Sequence, residues 1–197
     1  MKYSAGLISK SYWYLESKKT AQLMLDGLTR KEIVEKAIFE NIYQVDSEYR
    51  SKTIANSLYT RLHSLPKPLL VAIINSDITT SKLLVLISIL KTDQLFFEFM
   101  HEVFRNKLIL GENSLKDRDI NIFFDEKKAQ SEVVDGWVDS TIYKLKKMYI
   151  QILLEAGILR IESGKRVILP PFLDYRIKQI ILDNDLAPFL HAVTGEK

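Results

Sequence analysis

Histidine and carboxylate chemistry is sparse in this chain, and the spacing of these residues limits what they can do. Its three histidines, His63, His101 and His191, stand far apart, and none sits in a His-x-His or His-Glu-x-x-His arrangement that would hold zinc on one helix face. Glu98-x-x-His101 has the i, i+3 spacing of half a di-iron helix pair, but the second such pair is missing. Asp117 and Asp119 flank Arg118 in what reads as the first turn of a helix, where carboxylates complement the helix dipole rather than form an acid–base pair. There is no cysteine, which excludes a thiol nucleophile, a disulfide scaffold, a zinc ribbon and iron–sulfur ligation. No Gly-x-Gly-x-x-Gly, Gly-x-Ser-x-Gly or Gly-Lys-Ser/Thr loop is present. These patterns predict a protein that is not an enzyme and uses no cofactor and no metal.

Cationic and amide side chains offer more. The 28 Lys/Arg against 25 Asp/Glu give a formal charge of +3, too small to mean much alone. Between residues 140 and 180, however, eight cations (Lys144, Lys146, Lys147, Arg160, Lys165, Arg166, Arg176, Lys178) face three anions (Glu155, Glu162, Asp174). Ser140, Lys144, Lys147 and Gln151 recur at i, i+4, i+7 and i+11, with Thr141, Tyr143 and Lys146 on their flanks. Lysines neutralise phosphates, and hydroxyl and amide groups bond phosphates or base edges, so this pattern points to nucleic acid. Lys165 and Arg166 fall at the tip of an expected β-hairpin, where backbone phosphates would meet them. Together these make about five phosphate contacts, which predicts modest, salt-dependent affinity. The helix has no Arg, so weak sequence preference is expected. Tyr12, Trp13 and Tyr14 are adjacent, and three such rings on a helix cannot all face one core. They are expected to bind a partner, to pack across a domain junction, or to stack on bases.

The elements that would position these groups are mostly helical. Of the 197 residues, 47% are hydrophobic and 27% charged, an ordinary globular balance, and 7 Gly with 5 Pro leave little turn material for an all-β fold. Helices are expected over Tyr12–Asp26, from the Thr29-to-Glu32 capping box through Phe39, and over Ser47–Leu65, Leu69–Ile74, Thr79–Leu90 and Asp93–Leu108. The most apolar run, Leu83 to Leu90, is bounded by Lys82 and by Lys91 and Asp93. It is too short to span a membrane, so no membrane partner and a cytoplasmic location are expected. After Gly111 the pattern changes. Ser114 to Asp117 has capping-box form, Asp139 or Ser140 can cap a long helix ending near Ala156, and two β-rich runs flank Ser163-Gly164. A last helix over Leu173–Asp183 and a frayed tail from Thr194 complete the reading. The expected fold is mainly α, an N-terminal multi-helix bundle over 1–112 followed by a C-terminal winged helix-turn-helix-like unit with one short β-hairpin over 113–197.

The assembled pattern resembles the BrxA family of the bacteriophage-exclusion (BREX) defence systems. The likeness is carried by Tyr3-Ser4-Ala5-Gly6-Leu7, by Leu25-Asp26-Gly27-Leu28 leading into Glu32-Ile33-Val34-Glu35, and by Asp119-Ile120-Asn121-Ile122-Phe123-Phe124. It continues through Trp137-Val138-Asp139-Ser140-Thr141-Ile142 to Glu155-Ala156-Gly157-Ile158-Leu159. The resemblance implies a small, non-enzymatic component of a multi-gene system that methylates host DNA and prevents phage DNA from replicating. It also implies association with DNA and with other BREX proteins, and similarity to the helical antitermination protein NusB, which binds RNA. Three functions follow as expectations. The first is a duplex-DNA-binding accessory protein using the winged helix, the second a protein–protein assembly adaptor, and the third a NusB-like RNA binder.

Overall fold

The structure, a computed structural model, describes residues 2–196 and is mainly helical with a single antiparallel hairpin among those residues. The chain folds into two compact units, residues 12–92 and residues 2–11 with 93–196. The division falls after residue 92, ahead of the expected 112/113 boundary. The segment after Gly111 lies inside the second unit, where Leu115 N–H donates to the Arg166 carbonyl (3.1 Å) and Ile168 N–H to the Asn113 carbonyl (2.8 Å).

The unit over 12–92 holds α1 (Tyr14–Leu25), α2 (Arg30–Phe39), α3 (Glu48–His63), α4 (Lys67–Asn75) and α5 (Ile78–Leu90). Local sequence accounts for most of the helix starts. Thr29 and Glu32 close the expected capping box, and Ser47 and Asp77 accept hydrogen bonds from the first-turn amides of α3 and α5. Pro68 sits in the first turn of α4, where a missing N–H is harmless. Ile33 and Ala37 of α2 pack with Ile54, Ala55 and Leu58 of α3. From Leu83 to Leu90, α5 is buried on every side, as expected of a core helix that is apolar all round. Helix α1 begins two residues later than its periodicity predicts, because Trp13 has φ 55° and breaks the helical path.

The second unit begins with a short 3-10 turn, Gly6–Ser9, whose buried Leu7 belongs to a segment packed on the later long helix. It continues with α6 (Gln94–Phe99), a π-helical stretch (Met100–Phe104), α7 (Arg105–Ile109), α8 (Asp117–Gln130), α9 (Glu132–Asp135), α10 (Asp139–Ala156), β1 (Leu159–Glu162), β2 (Lys165–Ile168), α11 (Tyr175–Leu182) and α12 (Ala187–Thr194). Its core is aromatic, with the rings of Phe96, Phe99 and Phe124 at 4.5, 5.3 and 5.7 Å from that of Tyr149. Strands β1 and β2 pair from Leu159–Ile168 to Glu162–Lys165, and Ser114 bridges Val167 on the other edge of β2.

Three local expectations change. Ser114 does not cap α8: it is held in the bridge to β2, and the Lys116 amide instead donates to the Asp119 carboxylate at 2.8 Å. Neither Asp139 nor Ser140 caps α10, because Val138 occupies the N-cap and Asp139 is already helical. The chain also does not end on the helix over 175–182. Helix α12 follows, burying Leu190, Ala192 and Val193, and Gly195 closes it at φ 75° where an added Cβ would come within 2.7 Å of Leu108.

Candidate nucleic-acid interface

Helix α10 is built as its periodicity requires. Ile142, Leu145, Tyr149, Ile152, Leu153 and Ala156 are all buried. This leaves Ser140, Tyr143, Lys144, Lys147 and Gln151 exposed, with Thr141 and Lys146 half-buried beside them. The Lys147 ammonium lies 4.5 Å from the Tyr143 ring centroid, and the Gln151 amide donates to Glu155. The structure thus places the whole candidate set of α10 on one helix, with its central stripe wet.

The hairpin tip is set by its turn. Ser163 and Gly164 both have positive φ (47° and 76°), the combination of a type I′ turn, whose twist matches that of the strands. Lys165 is exposed immediately after it, whereas Arg166 is half-buried and pairs with Asp117 at 2.7 Å.

Opposite α10, one face of α8 forms the far wall of a cleft of about 840 Å³. Asn121 and Lys128 of α8 meet Tyr143, Lys146 and Lys147 of α10 across it. The Lys146 ammonium donates to Asn121 at 2.7 Å and lies 5.5 Å from the Phe124 ring centroid, while Lys128 pairs with Asp139 at 3.4 Å. The α8 wall was not among the residues expected from sequence. Its signal was available, since Asp117, Asn121, Asp125 and Lys128 recur at i, i+4, i+8 and i+11.

These contacts sort the eight cations of 140–180. Arg160, Arg166 and Lys178 pair with Glu162, Asp117 and Glu196. Among the described residues, no carboxylate lies within ion-pair distance of Lys144, Lys147, Lys165 or Arg176. The cations free of a carboxylate partner among the described residues therefore lie on α10, at Lys165 and at Arg176, and Arg166 joins them only by leaving Asp117.

The aromatic triple does not form one exposed patch. Tyr12 is buried and its hydroxyl donates to the Lys82 carbonyl. This removes it from any partner surface, because its ring is part of the core. Trp13 and Tyr14 are half-buried, each with a cation near its ring: Arg61 at 5.4 Å and Lys82 at 5.7 Å.

Glu98, half of the suggestive Glu98-x-x-His101 pair, has another task. It accepts hydrogen bonds from Tyr3 (2.6 Å) and from Gln94, and pairs at 2.7 Å with the buried Lys127, which also pairs with Glu102 at 2.7 Å. Burial alone would raise the Glu98 carboxyl, but the bonds from Lys127, Tyr3 and Gln94 hold it below the usual range. Among the described residues no group of three or more His, Asp or Glu could hold a metal ion, and no helix is long and apolar enough to cross a membrane.

Fold and site together define a mainly helical protein in which a long amphipathic helix leads into a single hairpin. Residues 1–185 match the family model for BrxA. Over 194 residues the chain is 48% identical to the BREX protein BrxA of Bacillus cereus (strain H3081.97), covering 98% of this chain and 97% of that protein. The chain belongs to the BrxA family of BREX phage-defence components. Its fold is similar to the crystal structure of an uncharacterized protein from Magnetospirillum magneticum, with a TM-score of 0.84 over 100% of both chains at 19% identity.

Proposed function

We propose that this chain is a non-enzymatic BREX component that binds duplex DNA through α10 and the tip of the β1–β2 hairpin, as a winged helix does. One observation carries the reading: the exposed stripe of Ser140, Tyr143, Lys144, Lys147 and Gln151 has two lysines without carboxylate partners among the described residues. The element order supports it, because a short edge segment at Ser114, helix α8, helix α10 and a hairpin follow one another as in winged helices. Lys144, Lys147 and Lys165 supply phosphate neutralisation, and Ser140, Thr141 and Gln151 supply short polar contacts. With no Arg on the helix, discrimination between sequences is weak.

Fluorescence anisotropy on a labelled duplex at two salt concentrations tests this. Reversing both lysines, Lys144→Glu with Lys147→Glu, is expected to weaken binding at least tenfold across unrelated sequences and to flatten the salt dependence by about two units of log–log slope. Unchanged affinity of the folded double variant would refute the reading.

A second reading, assembly with other BREX proteins, is favoured by Phe172 and Tyr175, which are 82% and 71% exposed just beyond the hairpin. Its signature is co-purification with another BREX subunit that is lost on replacing both rings by Ala.

A further inference from the structure

The second unit carries a narrow groove of about 280 Å³, and none of its lining residues belongs to α10 or the hairpin. One wall runs from the π-helical stretch through α7, where Glu102, Val103, Asn106 and Leu110 share a face. The other wall is α8, where Asp119, Ile122 and Glu126 recur at i, i+3 and i+7. The π-helical stretch, Met100–Phe104, is a rare backbone that recurs at functional sites, and it carries Glu102 and Val103 of this wall. Leu110 is 71% exposed and Ile122 43%, one from each wall. A single exposed leucine is ordinary, but two bulky apolar side chains lining one groove form a seat that the chain itself does not fill.

The rim of this seat is anionic. Glu102, Glu112, Asp119 and Glu126 line it against a single lysine, Lys107. Lys107 is already held by Glu112 at 2.5 Å and by Asp119 at 3.1 Å, and Glu102 shares the buried Lys127 with Glu98. Among the described residues no cation lies within ion-pair distance of Glu126. The excess of carboxylates is not a metal site, since among the described residues no group of three or more His, Asp or Glu could hold an ion. It repels phosphates, which sets the groove apart from the interface proposed on α10.

Shape and charge complementarity together define the occupant. Two helical walls of about two turns each leave room for the same length of a third helix, about 12 Å. Apolar side chains on its inner face meet Val103, Leu110 and Ile122, while lysines or arginines on its flanks meet Glu102, Glu112 and Glu126. We propose that this groove docks a short cationic amphipathic helix of a partner protein. The mode is helix-in-groove recognition, with apolar anchors at i, i+3, i+4 and i+7 of the incoming helix. It requires neither duplex binding by α10 nor assembly through Phe172 and Tyr175.

The test uses the full chain and a fluorescein-labelled peptide of about 14 residues, with leucines at i, i+3, i+4 and i+7 spacing and lysines elsewhere. Its controls are a peptide of the same composition in scrambled order and an amphipathic leucine–glutamate peptide. By anisotropy the leucine–lysine helix is expected to bind about tenfold more tightly than either control, and less tightly as salt rises. Ile122→Lys with Glu126→Lys, both at exposed positions, is expected to weaken that binding about tenfold and to tighten binding of the leucine–glutamate peptide. A misfolded variant does not gain the anionic peptide, so the exchange of preference reads the groove itself. Equal affinity for ordered and scrambled peptides overturns the proposal, as does a variant with wild-type circular dichroism that keeps the wild-type preference. In a methyl NMR titration the signals of Leu110 and Ile122 are expected to shift, and a peptide that shifts only Ile142 and Ile150 of α10 overturns the groove as its seat. Self-association of the chain alone in sedimentation velocity, abolished by the same variant, makes the occupant a second copy and overturns the assignment to another protein.

Discussion

Arg166 shows why residue type alone overstates a binding site. By sequence it is one of two cations at a wing tip. In the structure it faces Asp117 at 2.7 Å, and the Asp117 side chain is 79% exposed. Such an exposed pair is worth about 0–1 kcal/mol, so a phosphate can displace the carboxylate, but at the expense of the pair. Asp117→Asn removes the competitor. It is expected to tighten duplex binding about two- to threefold, read by the same anisotropy titration. No change would place Arg166 outside the contact. The other side chains of the proposed interface were legible because lysine and short polar groups on the wet side of an amphipathic helix stay on the surface whatever the tertiary packing. Arg166 was not, since its partner lies 49 positions away in sequence.

At the level of elements, α10 and the hairpin were the most legible parts. The buried face of α10 follows from its period of 3.6, and the Ser163-Gly164 turn follows from the need for two positive φ angles between short β-rich runs. The turn also aims Lys165. Gly164→Val forces a β-branched side chain into the left-handed region at a cost of about 1–2 kcal/mol. A lower thermal midpoint together with severalfold weaker DNA binding is expected, and unchanged values for both would show that the turn does not position the tip. Helix α12 was not legible in its context. No helix was expected over 187–194, although Pro188 stands in the first turn of α12, where proline is compatible with the helical backbone.

For the whole molecule, the least legible feature is the ion cluster that ties the N-terminal segment to the rest of the second unit. Lys127 is buried between Glu98 and Glu102, and Tyr3 donates to Glu98. Burial, reinforced by its bond to Glu98, raises the Tyr3 hydroxyl to about 12. Lys127→Met leaves two carboxylates facing one another and is expected to destabilise the fold by about 2–4 kcal/mol, seen as a lower melting temperature. The pH dependence follows from the directions of the shifts. The folded-state pKa of Glu98 is lowered, so its contribution is present above the ordinary carboxylate value of about 4.3 and is lost as pH falls through the lower folded value. Burial opposes the charge on Lys127, but its two carboxylates raise its pKa. Its contribution is therefore present below the ordinary lysine value of about 10.4 and is lost as pH rises through the folded one. Melting temperature followed across pH is expected to fall at both limits in the wild type; in Lys127→Met the alkaline fall is lost and the acid fall shrinks or reverses, because protonation relieves the facing carboxylates.

The amino-acid order by itself determined the helical class, most helix starts and stops, the inward side of α10 and the single hairpin. Each of these depends on groups within a few residues of one another: a cap and its amides, a repeat and its period, a turn and its φ angles. Only the tertiary structure decided that Lys127 lies inside, that Asp117 holds Arg166, that Tyr12 is core, and where the chain divides into compact units. Those outcomes depend on which distant side chain arrives beside a given one, and on whether the free energy of removing a charge from water is offset there.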